Sequence, residues 1–173
     1  MKIAVIGGGA AGYFSAISAA THNPQAKVMI LEKSGKLLSK VLVSGGGRCN
    51  VTHACFSIPE MTASYPRGGR QLRGLFHSFF TTDIIEWFES RGVKLKAEAD
   101  GRMFPVTDNS ETIAHCLRQE AKALGIEVLV NTNVDEVRRT ANGFVLEIRS
   151  GQPVACDKVI VASGGSPKAS GLD

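Results

Sequence analysis

The chain has 173 residues, 43% of them hydrophobic and 21% charged, near the averages of soluble globular proteins and long enough to bury roughly 70% of the unfolded chain's surface in one core. Its formal charge of +4 comes without a long block of like charges and with only 6% aromatics, which excludes a polybasic nucleic-acid arm, and no apolar run approaches the roughly 18 residues of a membrane-spanning helix. Cys49, Cys55, Cys116 and Cys156 form neither a CxxC pair nor a zinc-ligand spacing, so they read as reduced thiols and no metal is expected.

A cytoplasmic protein is expected, with a small-molecule substrate and without nucleic acid or membrane as partner. Arg67, Arg70 and Arg73 are the nearest thing to a basic patch and read as a solvated, phosphate-facing edge. The 19 glycines exceed the average and are bunched, with triplets at Gly7-Gly8-Gly9 and Gly45-Gly46-Gly47.

In chain order, Lys2 to Ile6 is a short apolar strand, residues 10 to 22 have helical spacing with small residues on one side, and Lys27 to Glu32 is a second buried strand. This is a βαβ unit. From Ser34 to Arg70 the glycine run, Pro59 and Pro66 break any period, and an irregular loop is expected. Helices are predicted at Gln71 to Phe80 and Thr82 to Arg91, the second capped by Thr81 or Thr82 and closed by Gly92. Short strands follow at Lys94 to Ala97 and Arg102 to Pro105, and then a helix with Ser110 as N-cap, running to Leu124 and ended by Gly125. After a strand from Glu127 to Val130, Asn142-Gly143 signals a hairpin between Val134 to Arg139 and Phe144 to Arg149, with Val154 opening a third antiparallel strand. Lys158 to Ala162 is a last buried strand that runs into Ser163-Gly164-Gly165.

Gly7-Gly8-Gly9-Ala10-Ala11-Gly12 fits G-x-G-x-x-G between a strand and a helix, and Glu32 lies 20 residues after Gly12 at the end of the next strand. A dinucleotide fold needs these parts: Gly7 for the turn, Gly9 for approach of the pyrophosphate, Gly12 for helix packing, and Glu32 for ribose hydroxyls. The helix N-terminus supplies unpaired N–H groups and a positive dipole end. A carboxylate at position 32 would repel a ribose 2′-phosphate, which leaves FAD or NAD.

IGGGAAG, SGGGRCNVT at 44 to 52, GRMFPVTD at 101 to 108 and VIVASGG at 159 to 165 together resemble the BaiN-like flavoproteins, an aminoacetone-oxidase-like family of NAD(P)/FAD-dependent oxidoreductases. The resemblance implies an α/β, Rossmann-like FAD-binding domain of the glutathione-reductase type, a parallel sheet with helices and an antiparallel β-meander, over residues 1–173. It implies FAD along Gly7, Gly9, Ala10, Ala11 and Gly12, with Glu32 and Lys33 at the adenosine ribose. Val134 would offer backbone hydrogen bonds to adenine. Ser44, Gly45, Gly46 and Gly47 would lie beside the flavin, with Arg48 and Asn50 as donors, and Ala162, Ser163 and Gly164 would form the turn that in the family reads Ala-Thr-Gly. Arg48 has an equal reading as a loop-fixing residue, and Cys49 reads as a small buried hydrophobe rather than half of a redox pair.

The resemblance also implies a fragment, because the family is longer and this sequence stops at Gly171-Leu172-Asp173, inside the equivalent of a motif. Weak retention of FAD and self-association through surface left by the missing domain are expected. The implied activity is FAD-dependent hydride transfer, of amine-oxidase or NAD(P)H-dependent reductase type, with NAD(P)H as transient donor in the second case. No catalytic residue is assigned. An NAD-binding dehydrogenase fragment and a non-catalytic nucleotide-binding module needing a partner chain are the alternatives.

Overall fold

The computed structural model of the chain describes residues 1–165; the stop at Gly171-Leu172-Asp173 lies outside the described residues. The chain divides into two compact units, one of Met1–Lys40 with the chain from Leu117 onward, the other Val41–Cys116. The first opens with β1 (Lys2–Ile6), α1 (Ala10–His22) and β2 (Lys27–Leu31), and α2 (Ser39–Gly47) leads into the second. The second continues through β3 (Thr52–His53), α3 (Ile58–Ala63), α4 (Gly69–Phe76), α5 (Thr81–Glu89), β4 (Leu95–Ala97) and β5 (Arg102–Pro105). Helix α6 (Ser110–Ala123) leads back to β6 (Glu127–Leu129), β7 (Val134–Thr140), β8 (Gly143–Ile148), β9 (Val154–Cys156) and β10 (Lys158–Val161).

In the first unit a parallel sheet has the order β10-β1-β2-β6. The two central strands are continuous apolar runs because both their faces are covered: Ile3, Ala4 and Val5 of β1 and Val28 to Leu31 of β2 are buried, whereas the edge strand β10, expected to be buried, is half-buried to exposed, with Val161 63% exposed. On one face α1 buries Tyr13, Ala16, Ile17 and Ala20, the spacing of one helical stripe. On the other, the antiparallel meander β7-β8-β9 completes a core of Ala4, Met29, Leu31, Leu146 and Cys156, with Val134, Phe144 and Ile148 packed around it. The hairpin closes where Thr140 pairs with Gly143, so its loop is Ala141-Asn142, and Gly143 holds φ +140° with no room for a Cβ beside the Cys156 carbonyl.

The second unit is built on the antiparallel sheet β3-β5-β4 around buried Met103 and Phe104. The stretch from Ser34 to Arg70, read as irregular, carries α2, β3, α3 and the start of α4. Pro59, read as a breaker, sits in the first turn of α3, where its missing N–H costs nothing, and Ser57 Oγ caps that turn by accepting from the Glu60 N–H. Helix α4 begins two residues before the predicted start. Thr81 is the first residue of α5 rather than its cap: Asp83 reaches back to accept the Phe80 N–H at 2.6 Å. Ser110 likewise is not the cap of α6, for its hydroxyl donates to the Leu42 carbonyl while Asn109 Oδ1 accepts the Glu111 N–H. Among the described residues no helix is long and apolar enough to cross a membrane.

Candidate dinucleotide-binding site

All strands of the first sheet are parallel, so β1, β2 and β10 release their loops at one edge. Three backbone bonds continue the ladder past the strand ends, from Gly7 N to Leu31 O, Glu32 N to Leu129 O and Ala162 N to Ile6 O, each 2.8 Å. They bring Gly7 to Gly12, Glu32 and the Ala162 to Gly164 turn together. From β1 the sheet extends to β2 on one side and β10 on the other, and the crevice outside such a branch point is where open α/β sheets bind ligands.

Each glycine of the first motif has a separate cause. Gly7 takes φ +114°, and a Cβ there would lie 2.4 Å from the Ala162 carbonyl oxygen. At Gly12 a Cβ would fall 1.8 Å from the Gly7 oxygen, so helix and turn are in backbone contact. Gly8, which the motif leaves free, is also constrained: a Cβ would meet the Leu37 side chain at 2.7 Å. Gly9 is the exception, because among the described residues nothing lies within 4 Å of the place its Cβ would take. That open cradle faces the start of α1, which no side chain caps and whose first turn carries no acid. The N–H groups of Ala10 and Ala11 have no carbonyl within the helix to bond. Space, donors and dipole all suit a pyrophosphate.

Glu32 is held as the ionised form. Its Oε2 accepts from the Gly8 N–H at 2.8 Å, and its Oε1 accepts from the Ser34 N–H at 2.9 Å and the Ser34 hydroxyl at 2.8 Å. Burial pushes the carboxyl up, but those hydrogen bonds and the neighbouring Lys33 charge outweigh it and bring it below the usual carboxylate range. A carboxylate has about four lone-pair positions and three are taken, so about one remains for a ribose hydroxyl to donate to. Lys33 is exposed. Val134 opens β7, pairs with Ile148 and is half-buried against the core.

Two participants escape a reading of sequence. Ser34 orients Glu32, and the only signal is a hydroxyl two residues beyond the acid. Lys40 Nζ donates to the Gly165 carbonyl at 2.7 Å, bridging residues 125 apart, with no signal at all.

In the second unit the remaining predicted residues form a loop braced from within. Ser44 is extended, and then Gly45, Gly46 and Gly47 are all left-handed at φ +56°, +68° and +85°, followed by Cys49 at +62°. The Ser44 carbonyl accepts the Cys49 N–H at 3.0 Å, and the Ser44 hydroxyl donates to the Val41 carbonyl at 2.9 Å. Gly45 backs onto the Phe104 ring, 2.7 Å from where its Cβ would be, whereas Gly46 has nothing within 4 Å among the described residues. Arg48 pairs with Glu98, lies 3.8 Å from Asp108 and stacks 4.0 Å above the Phe104 ring. These contacts fit its loop-fixing reading. Asn50 Nδ2, oriented by its partners, donates to the carbonyls of Thr52 at 2.8 Å and Met103 at 3.2 Å. Cys49 is buried, which pushes its thiol up against the opposing Ser44 hydrogen bond, as befits an inert packing residue. Among the described residues no His, Cys, Asp and Glu cluster could hold a metal.

Comparison with known proteins agrees with this geometry. The family model of the HI0933-like protein Rossmann domain matches residues 1–170. The chain is 30% identical over 164 residues to the 3-dehydro-bile acid delta(4,6)-reductase of Clostridium scindens, covering 95% of this chain and 39% of that protein. It is 28% identical over 161 residues to the ribosomal RNA dihydrouridine synthase of Escherichia coli, covering 93% and 38%. Among solved structures, quinol fumarate reductase FrdA of E. coli superposes with a TM-score of 0.70 at 20% identity over 95% of this chain and 33% of that one, a likeness of fold alone. The chain therefore spans about two fifths of the length of the curated relatives it matches. The fold is that of a Rossmann-like FAD-binding domain, and the chain belongs to the HI0933-like Rossmann-domain family.

Proposed function

We propose that this chain is the dinucleotide-binding part of an FAD-dependent oxidoreductase. The observation that carries the reading is the open cradle at Gly9, facing an uncapped helix N-terminus beside an ionised Glu32. The chain's own residues do the binding: the turn from Gly7 to Gly12 takes the pyrophosphate, Glu32 with Lys33 takes the adenosine ribose, and the Val134 backbone takes the adenine. Ala162, Ser163 and Gly164 border the turn. In the second unit Ser44 to Gly47, Arg48 and Asn50 are the residues proposed for the flavin end, with Gly46 the one whose surroundings are open. FAD bound there would supply hydride chemistry, taking two electrons from a donor such as NAD(P)H and passing them to a substrate.

A reductase fits better than an amine oxidase. The two curated relatives are named for adding hydrogen to a carbon–carbon double bond, in a steroid ring system and in a uridine of RNA. In both compounds the double bond is conjugated to a carbonyl, which suits hydride attack on the far carbon and protonation of the near one. A substrate of that electronic class is proposed here.

The test is the visible spectrum of the purified chain titrated with FAD, NAD and NADP, followed by anaerobic addition of NAD(P)H. Perturbed flavin bands with FAD, no competition by NADP, and bleaching on adding the nicotinamide support the reading. Binding of NAD in preference to FAD would replace it with a dehydrogenase. FAD is expected to be lost on gel filtration, and the chain to self-associate through exposed Val43, Phe56, Leu75 and Val161. A yellow monomer with stoichiometric flavin would contradict both expectations.

A further inference from the structure

Within the second unit the segment from His53 to Tyr65 folds around a cavity of about 980 Å³, a size that suits a small ligand. Part of its wall is one face of α3: Ser57, Glu60, Met61 and Ser64 line it, spaced three and four apart as a single helical stripe. The helix buries no residue fully, so this face is turned to open space and not to a core. The rest of the wall is the loop from His53 to Phe56, pinned by its backbone. The Ala54 N–H donates to the Gly101 carbonyl and the Cys55 N–H to the His53 carbonyl, both at 2.7 Å. Gly101, left-handed at φ +82°, lies so near the His53 ring that a Cβ would fall 2.5 Å from it. Tyr65 completes the lining, its ring held 6.0 Å from Phe76 of α4.

Neither Lys nor Arg lines the cavity, in a chain that has 20 of them, and Glu60 is its only carboxylate. Glu60 forms no ion pair among the described residues, and the Cys55 thiol lies 4.0 Å from its Oε2. The hydroxyls of the wall are committed to backbone: Ser57 Oγ accepts the Glu60 N–H at 3.4 Å, and Ser64 Oγ donates to the Glu60 carbonyl at 3.3 Å. What remains for a ligand is one carboxylate, the Met61 thioether and the rings of Phe56 and Tyr65, 62% and 44% exposed. Ring faces are negative and attract a cation within about 6 Å of the centroid, and a carboxylate adds to that attraction. A protonated primary amine brings three N–H donors that need acceptors, and the wall has few to offer. A quaternary ammonium has no N–H to satisfy and presents methyl groups to the rings and the thioether.

We propose that this cavity binds an organic cation of the quaternary ammonium class, with Glu60 as its counter-charge and Phe56 and Tyr65 as the ring faces. The site lies in the second unit alone and is tested on the flavin-free chain, so that its failure and a failure of FAD binding are read separately. Cys55 gives a local readout, because it lines the cavity half-buried while Cys49, Cys116 and Cys156 are buried.

The rate at which iodoacetamide alkylates Cys55 is followed by mass spectrometry while choline is titrated in, at about pH 8, where an ordinary imidazole is uncharged. The controls share its body: 3,3-dimethyl-1-butanol replaces the cationic nitrogen by carbon, and 3,3-dimethylbutanoate carries a negative charge. Saturable protection of Cys55 by choline alone is expected. Its half-saturation should rise about fivefold or more in E60Q and in F56L, each measured against its own unprotected rate. Glu60 and Phe56 are exposed, so neither replacement disturbs a core, and circular dichroism checks each fold. No protection by choline, equal protection by the butanol, protection by the butanoate, or an unchanged half-saturation in either folded variant would overturn the proposal.

Discussion

Gly9 and Gly12 lie three residues apart in one turn and should respond very unequally to a methyl group. Gly12→Ala drives a Cβ into the Gly7 carbonyl oxygen at 1.8 Å, backbone against backbone, and should cost about 3 kcal/mol or more. Gly9→Ala meets no atom of the described residues, and Gly9 has φ −88°, open to any residue; among those residues only the poorer N-cap counts against it, about 1 kcal/mol. Thermal melts of the two variants check this contrast. Glu32 carries a pH signature. Its folded-state pKa is depressed, so its contribution to stability is present above the ordinary carboxylate range and is lost as pH falls through the lower folded value. Glu32→Gln should therefore flatten the loss of melting temperature in that acid window while leaving the neutral-to-alkaline profile unchanged in shape. An identical acid limb in both proteins would show that Glu32 gains nothing from Gly8 and Ser34.

At the scale of elements, the triple glycine at 45 to 47 is one left-handed turn bolted to Phe104. Gly46→Ala should cost about 1–2 kcal/mol, the penalty of a left-handed residue alone. Gly45→Ala should cost clearly more, because the Phe104 ring and the Asn50 N–H crowd its Cβ position as well. Chemical denaturation of the two variants separates conformational strain from packing. The triplet was plain in the sequence and its handedness was not, since glycine permits either hand. The first βαβ unit was legible because strand burial and helix spacing are local patterns. Asn142-Gly143 marked the hairpin for the same reason. Helices α2 and α3 were not legible, because α2 buries only Val41 and α3 buries no residue fully, whereas α4 was read from its amphipathic spacing with a start two residues late. Caps were misplaced by one residue where Asp83 and Asn109, rather than the expected hydroxyls, supply the acceptor.

For the whole molecule, the sequence motifs located the site while the sheet order assembled it. Nothing local says that β10 lies beside β1 more than 150 residues away, yet that pairing sets the Ala162 carbonyl against Gly7 and makes the second constraint on the turn. The same is true of Lys40 and Gly165. Long-range contacts of this kind also explain why Gly8 is constrained although the motif leaves its position free. The central claim is that the open cradle at Gly9 receives the pyrophosphate of FAD. A calorimetric titration of FAD into the wild-type chain and Gly9→Ala, each shown folded by its melt, tests it most directly. The account predicts measurable FAD binding by the wild type and at least tenfold weaker binding by a folded Gly9→Ala, since a Cβ there holds the phosphates away from the helix N-terminus. Equal FAD affinity in the two proteins, or no affinity in the wild type, would contradict it.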